Sequence, residues 1–346
     1  MKKVLLCLLF LLALTVPAHA SQITAPEPPD SAQEYLPNTS GGFAEDLLYV
    51  IQLALKNVSP DLGSCIQVCA SLLGTALILS LLKTYDGKSK AMADLAGVIA
   101  IACLLMDDVN ALIRLGDRTV TELSEYGKLL VPVMTTALAA QGGTGSAAAL
   151  YTATAFFDAV LSCGVSDVLI PGIYIFLTVA VVNAAVGDAL MKKMKDFIKW
   201  LLSWGLKIIL YAFSGYVSIT GVVNGTADQT ALKAAKVTLG GMVPVVGSII
   251  SDASETILVG AAVVKNSVGV YGMLALVAIV IGPFLKIGIQ YLLLKLTAAV
   301  CGVFCDKTVT GLMDDFTSAM GLVLAMTGTV CLLLMISMVC FLRGMG

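Results

Sequence analysis

The sequence predicts an all-α polytopic membrane protein of about seven transmembrane helices, with two re-entrant or broken segments, behind a cleavable signal peptide. Three observations carry that expectation. Hydrophobic residues make up 58% of the 346 and charged residues only 13%, about half of the ~25% that a soluble domain carries. The mean hydropathy is +0.94. The charge that remains is gathered into short clusters between apolar runs, as loops between spans require.

The same balance excludes whole classes of function. Lys and Arg number 21 against 23 Asp and Glu, so no basic excess points to nucleic acid. The 32 glycines exclude a purely regular bundle and the 10 prolines a long coiled coil. The single histidine, His19, falls in the leader. Lys2 and Lys3 form a basic start, residues 4–14 an apolar run, and Ala18-His19-Ala20 a small-x-small cleavage site. Residues 1–20 therefore read as a secretory signal peptide. An uncleaved anchor is the alternative, but the apolar run is short for a span. Cys7 lies inside that run, which argues against a lipoprotein anchor.

Cleavage leaves a chain without histidine, so Ser-His-Asp, Cys-His and two-histidine zinc sites lack their imidazole. Ala185-Val186-Gly187-Asp188 lacks the leading glycine of an aspartyl intramembrane protease. Gly142-Gly143-Thr144-Gly145-Ser146 lacks the lysine of a phosphate-binding loop. No enzyme, cofactor or metal site is expected. Cys65/Cys69 and Cys301/Cys305 each share a helix face, but without Cys-x2-Cys or histidine partners they read as small, polarisable contact residues.

Along the mature chain, residues 21–61 form an extracytoplasmic, acidic region in which Glu27, Asp30, Glu34, Glu45, Asp46 and Asp61 face Lys56. It reads as a flexible tail to Gly42 and an amphipathic helix over 43–57. Residues 62–346 form the multi-pass membrane domain. The first span, 62–82, runs inward to Lys83, Lys88 and Lys90, as the positive-inside rule demands, and the second, 91–106, returns. Residues 107–128 carry mixed charge and a stripe of Val109, Leu112, Ile113, Val120 and Leu123, which suits an interfacial helix.

Residues 129–140 are too short to span and contain Pro132. They read as one limb of a re-entrant hairpin turning at 142–145, followed by one full span to Lys192, Lys193, Lys195 and Lys199. Three crossings over 129–190 are the alternative, since the number must be odd. Residues 197–223 then cross outward, with Trp200 and Trp204 at the interface. Residues 237–264 are broken by Gly240, Gly241, Pro244 and Gly247 and contain Asp252 and Glu255. They read as a second re-entrant element, tolerated only where protein or water satisfies the backbone. Residues 267–281 and 284–304 pair as spans about Gly282-Pro283, 306–315 lie outside, and 321–342 cross inward to Arg343. Leu130-Val131-Pro132-Val133 and Met242-Val243-Pro244-Val245 form a faint internal echo, and broken segments at matching positions point to a pathway.

Ionisable residues inside apolar runs are functional candidates by default. Asp158 is the most isolated. Lys207, Lys286 and Lys295 lie where snorkelling explains them. Asp252 and Glu255, at i and i+3, would line a polar path, cap a helix or face the outer water.

From Lys236 to Gly272 the chain reads KVTLGGMVPVVGSIISDASETILVGAAVVKNSVGVYG. Its Pro-Val-x-Gly and Asp-Ala-x-Glu-Thr words, followed by Lys265-Asn266 and Gly269, closely resemble the stage III sporulation protein AE family of endospore-forming bacteria. The resemblance is strong over 236–272 and weak before 129. The signal peptide and the order of spans fit as well, while the N-terminal region is short for the family. The resemblance implies a multi-pass protein of the mother-cell membrane around the forespore, in a secretion-like channel complex that supports spore development. The implied partners are other membrane proteins of that complex or a second copy of the chain, within the lipid bilayer. The candidate pathway or assembly residues are then Asp158, Gly240, Gly241, Pro244, Gly247, Asp252, Glu255, Lys265 and Asn266. Two functions stay open. A channel component would place the small residues at subunit contacts. A permease would turn Asp158, Asp252 or Glu255 into an enclosed cavity between the broken segments.

Overall fold

The structure, a computed structural model, describes residues 25–37, 43–58, 61–84, 90–140, 144–219 and 267–344. The leader, residues 1–20, lies outside the described residues. So does the second broken segment, with Gly240, Gly241, Pro244, Gly247, Asp252, Glu255, Lys265 and Asn266. Every regular element among the described residues is helical. A single turn, α1 (Asp30–Gln33), precedes α2 (Phe43–Val58), α3 (Asp61–Thr84) and α4 (Lys90–Ala140). Next come α5 (Thr144–Gly164), a π-turn (Val165–Leu169), α6 (Ile170–Val186) and α7 (Ala189–Ile219). The last two are α8 (Ser267–Cys301) and α9 (Lys307–Gly344). Six stretches are long and apolar enough to cross a membrane: Leu62–Leu81, Leu95–Leu138, Ala147–Val186, Ala189–Tyr216, Gly269–Cys301 and Lys307–Leu342.

Two expected breaks are absent. α4 runs unbroken for 51 residues through Pro132, joining the second span, the interfacial helix and the first limb of the expected re-entrant hairpin. The stripe of Val109, Leu112, Ile113, Val120 and Leu123 is buried, as its spacing requires, but against protein rather than lipid. Pro132 cannot donate to the carbonyl one turn back. The helix survives because Leu130, Val131, Met134 and Leu138 are all buried around it, so packing replaces what one hydrogen bond loses. α8 likewise continues through Gly282-Pro283. The two spans expected there are one helix, and the candidate spans among the described residues number six.

Residues 144–186 form one helical rod rather than separate stretches. Its π-turn sits just before Pro171, whose missing N–H would otherwise interrupt the ladder. The rod ends at Gly187, whose φ of 72° is left-handed and whose N–H donates to the Asn183 carbonyl at 2.8 Å. Only glycine adopts that cap without strain.

The bundle is organised around α4 and α9, which run parallel: Gly116 meets Val323 and Gly127 meets Leu334. α5 and α6 run antiparallel to α4, with Ser124 opposite Asp158, Asp117 opposite Ser166 and Asn110 opposite Tyr174. α8 is also antiparallel, with Gly272 against Leu130 and Gln290 against Asp108. α3 folds back on the start of α4, and α7 folds back on α6.

The N-terminal region corrects a second expectation. Residues 25–37 are not a loose tail. Ala32 is fully buried, the Ser31 hydroxyl donates to Glu122 Oε2 at 2.7 Å, and the Tyr126 hydroxyl donates to the Pro26 carbonyl at 3.5 Å. The amphipathic helix does form, as α2. It packs on α8 through Phe43, Val50, Ala54 and Val58, and leaves Leu48, Tyr49 and Leu55 exposed.

Candidate functional site: buried polar layers

Among the described residues, Asp158 is the one sequence-derived site residue that can be placed. It lies on α5, 5% exposed. The Ser124 hydroxyl of α4 donates to its Oδ2 at 2.8 Å, while Oδ1 has no hydrogen-bond partner among the described residues. One turn earlier, Thr154 donates to Ser337 Oγ of α9 at 3.0 Å, and Ser337 donates to the Leu333 carbonyl at 2.9 Å. A polar layer thus crosses α4, α5 and α9. In a setting where apolar packing is equally good on every face, such hydroxyl and carboxylate contacts fix which faces meet. A carboxylate with one satisfied oxygen holds register between α4 and α5.

A second layer lies nearer the start of α4. Gln290 of α8, 1% exposed, donates through Nε2 to Asp108 Oδ2 at 2.5 Å, and its Oε1 has no partner among the described residues. The Tyr174 hydroxyl of α6 donates to Asn110 Oδ1 at 2.5 Å. α4 is therefore tied to α5, α6 and α8 by three polar contacts along its middle.

A third contact ties α7 to α9. Lys195 Nζ lies 2.7 Å from Asp315 Oδ2, with the two side chains 12% and 11% exposed. Lys199 donates to Ser318 Oγ at 2.8 Å. The sequence reading places both lysines on the cytoplasmic side and residues 306–315 outside, but the contact between Lys195 and Asp315 puts the two at one level, so those assignments do not hold together. The structure places the lysines on a helix, turned toward the core, with Lys192 and Lys193 exposed beside them. Lys295 meets Asp314 at 3.1 Å on the exposed surface.

Asp108, Gln290 and the Lys195–Asp315 pair escape sequence reasoning. Gln290 had a signal, an amide alone within an apolar run; the lysine pairing had none, because its acid lies 120 residues away. Close helix contacts through small residues do occur, on α4. A Cβ at Gly116 would stand 2.5 Å from Val323 Cγ1, and one at Gly127 would stand 2.8 Å from Leu334 Cδ2. These glycines are separated by three helical turns, so they share a face. No group of three His, Cys, Asp or Glu comes together among the described residues, and the described cysteines are free thiols.

A family model described as stage III sporulation protein AE matches residues 31–344. The stage III sporulation protein AE of Bacillus subtilis (strain 168) is 22% identical over 202 residues, which cover 58% of this chain and 51% of that relative. The chain thus spans about half the length of the curated relative it matches. No solved structure matches.

Proposed function

This chain belongs to the stage III sporulation protein AE family, with the sporulation role that membership implies, and from that premise we propose that it is a non-enzymatic membrane component of a secretion-like channel complex between mother cell and forespore. The observation that supports this reading is the use to which the buried polar groups are put. Ser124 bonds Asp158 between α4 and α5, Thr154 bonds Ser337 between α5 and α9, and Gln290 bonds Asp108 between α8 and α4. These groups hold a scaffold in register. A permease would turn its buried carboxylate toward a cavity, whereas Asp158 is packed between α4 and α5.

On this reading the protein resides in the mother-cell membrane around the forespore. Its leader is removed after Ala20, and residues 62–346 form the membrane domain. The mature N-terminus is extracytoplasmic, an orientation supported by the Lys83, Lys88 and Lys90 cluster after the first span. Because α9 runs parallel to α4, which starts from that cluster, the C-terminus then falls on the extracytoplasmic side too, against the inward last crossing expected from the sequence. Gly240, Gly241, Pro244, Gly247, Asp252, Glu255, Lys265 and Asn266 remain the candidate assembly residues on this reading. The partners are other membrane proteins of the complex or a second copy of the chain.

Affinity purification of the tagged chain from membranes of sporulating cells tests the proposal. It should bring down a defined set of membrane proteins, and cysteine labelling across residues 237–264 should change when they are removed. A chain that purifies alone, and whose labelling responds to a small solute without partners, would establish the permease instead.

A further inference from the structure

α5 turns an uncharged face away from the bundle. Tyr151, Thr152, Ala155, Phe156, Ala159 and Val160 are exposed, and their spacing of three and four puts them on one side of the helix. The single charged residue of α5, Asp158, points the other way, to Ser124. The Thr152 hydroxyl is spent on the Ala148 carbonyl at 2.9 Å. Apart from the Tyr151 hydroxyl, the face offers water no free polar side chain.

This face stands clear of the lipid. The candidate span Leu62–Leu81 of α3 has 20 residues, about 30 Å of helix, which matches the hydrocarbon thickness. Leu79 of α3 meets Gly97 of α4 where the two helices fold back on each other. Equal steps along them from that contact bring Leu62, where the span begins, level with Arg114. Ser124 lies ten residues farther along α4, about 15 Å beyond that level, and Ser124 is what meets Asp158. The headgroup layer is only about 5–8 Å deep on each side, so the exposed face of α5 lies outside it.

An apolar face in water calls for a protein cover, and the chain itself carries a matching stretch. Residues 237–264 hold two charged residues, Asp252 and Glu255, among 28. They lie between α7 and α8. α7 ends at Ile219, six residues past Phe213, whose ring centroid is 5.3 Å from that of Phe157 on α5. α8 begins at Ser267, five residues before Gly272, which meets Leu130 of α4. Both ends of the intervening chain are therefore anchored at the level of α5. The 17 residues before Val237 reach about 55 Å when extended, farther than the 21 residues of α5 are long as a helix.

We propose that the outer face of α5 is the docking site of residues 237–264 of the same chain, with Phe156 as its anchor and Ala155 and Ala159 as the points of closest approach. Both partners are apolar, and burying one against the other removes from water a surface that lipid does not reach. The contact lies within one chain and does not depend on the channel reading.

The test uses the full-length chain in native membranes, with the photoreactive residue p-benzoylphenylalanine in place of Phe156 or, in a second chain, of Tyr151. Isotopically light and heavy copies are co-expressed, so mass spectrometry separates adducts within a chain from adducts between chains. Both positions should give adducts to peptides from residues 237–264 of the same chain. The same probe in place of Trp200, exposed on α7, should give none. Ala155→Arg, which adds a charge to an exposed position, should lower the yield at Phe156 several-fold. Adducts only to lipid, to a second copy or to another protein, no adduct at either position, or a yield indifferent to Ala155→Arg overturns the proposal.

Discussion

α9 and α7 both qualify as membrane spans, with hydropathies of 2.4 and 1.3, yet 89% of the α9 window is buried inside the protein and only 22% of the α7 window. The more apolar helix is the one that meets the least lipid. Lipid tails offer an apolar side chain as good a solvent as a protein interior does, so hydrophobicity alone draws neither helix inward. What distinguishes α9 is shape and polarity. It carries Phe316 and Phe341 fully buried, and its hydroxyls at Thr317, Thr329 and Ser337 donate to carbonyls of their own helix. It receives the glycine faces of α4 at Val323 and Leu334. α7 instead turns outward a ladder of Phe197, Trp200 and Trp204, with successive ring centroids 6.0 and 5.7 Å apart, the kind of side chains that suit a membrane interface. Hydropathy thus selects the bilayer as solvent, and packing complementarity selects the core within it.

If that contrast is right, truncation in α9 should be the most damaging change. Phe316→Ala should cost about 3–4 kcal/mol of stability, mostly as a cavity that neighbours cannot fill, read as a lowered denaturant midpoint in detergent. Gly116→Leu attacks the same contact from the α4 side. Overpacking against Val323 should cost about 3 kcal/mol, and folded protein recovered by size-exclusion chromatography should drop accordingly; full recovery would show that α4 and α9 do not approach as closely as described. Lys195→Met should cost about 2–3 kcal/mol, because it strands Asp315 without its ammonium. The double change Lys195→Met/Asp315→Leu should recover most of that loss in thermal unfolding. Asp158→Asn keeps an acceptor for Ser124 and removes a half-satisfied charge, so its stability should stay within about 1 kcal/mol. Trp200→Ala on the outer face of α7 should shift stability by less than about 0.5 kcal/mol, while quenching by brominated lipid should fall as the indole is removed from the bilayer. A large loss there would place a protein partner, not lipid, on α7.

Much of this architecture was legible in the chain, and the parts that were not share a cause. The fold class followed from missing charge, and α2 from a pattern that put Phe43, Val50 and Ala54 on one face. The buried stripe of α4 also read correctly; its partner did not, because periodicity names a face but never says what covers it. Pro132 and Pro283 read as breaks because a proline costs an isolated helix interior about 3 kcal/mol. Buried neighbours on both helices offset that cost, and no local pattern reports them. The acidic, proline-bearing N-terminal segment has the composition of a tail, yet Ala32 docks on the bundle. Asp158 stood out as a carboxylate among apolar residues, whereas its donor, Ser124, was hidden in a polar stretch. Gly116 and Gly127 carry no signal of their own in the sequence, because two glycines on one helix face mark a contact only once the partner helix is known.

The 51 residues of α4 extend about 76 Å as an α-helix. To lie wholly within hydrocarbon about 30 Å thick, the rod would have to lean roughly 65–70° from the membrane normal, far beyond the 0–40° found for spanning helices. At any ordinary tilt about half of it stands clear of the lipid. The middle of the rod, where Asp107, Arg114, Arg118 and Glu125 are exposed, suits that passage into water. With α9 fastened alongside, the protruding half is a mast rather than a tether. Where the excess length falls on one face, the tip stands roughly 30–45 Å from the bilayer, a stand-off distance set by helix length alone.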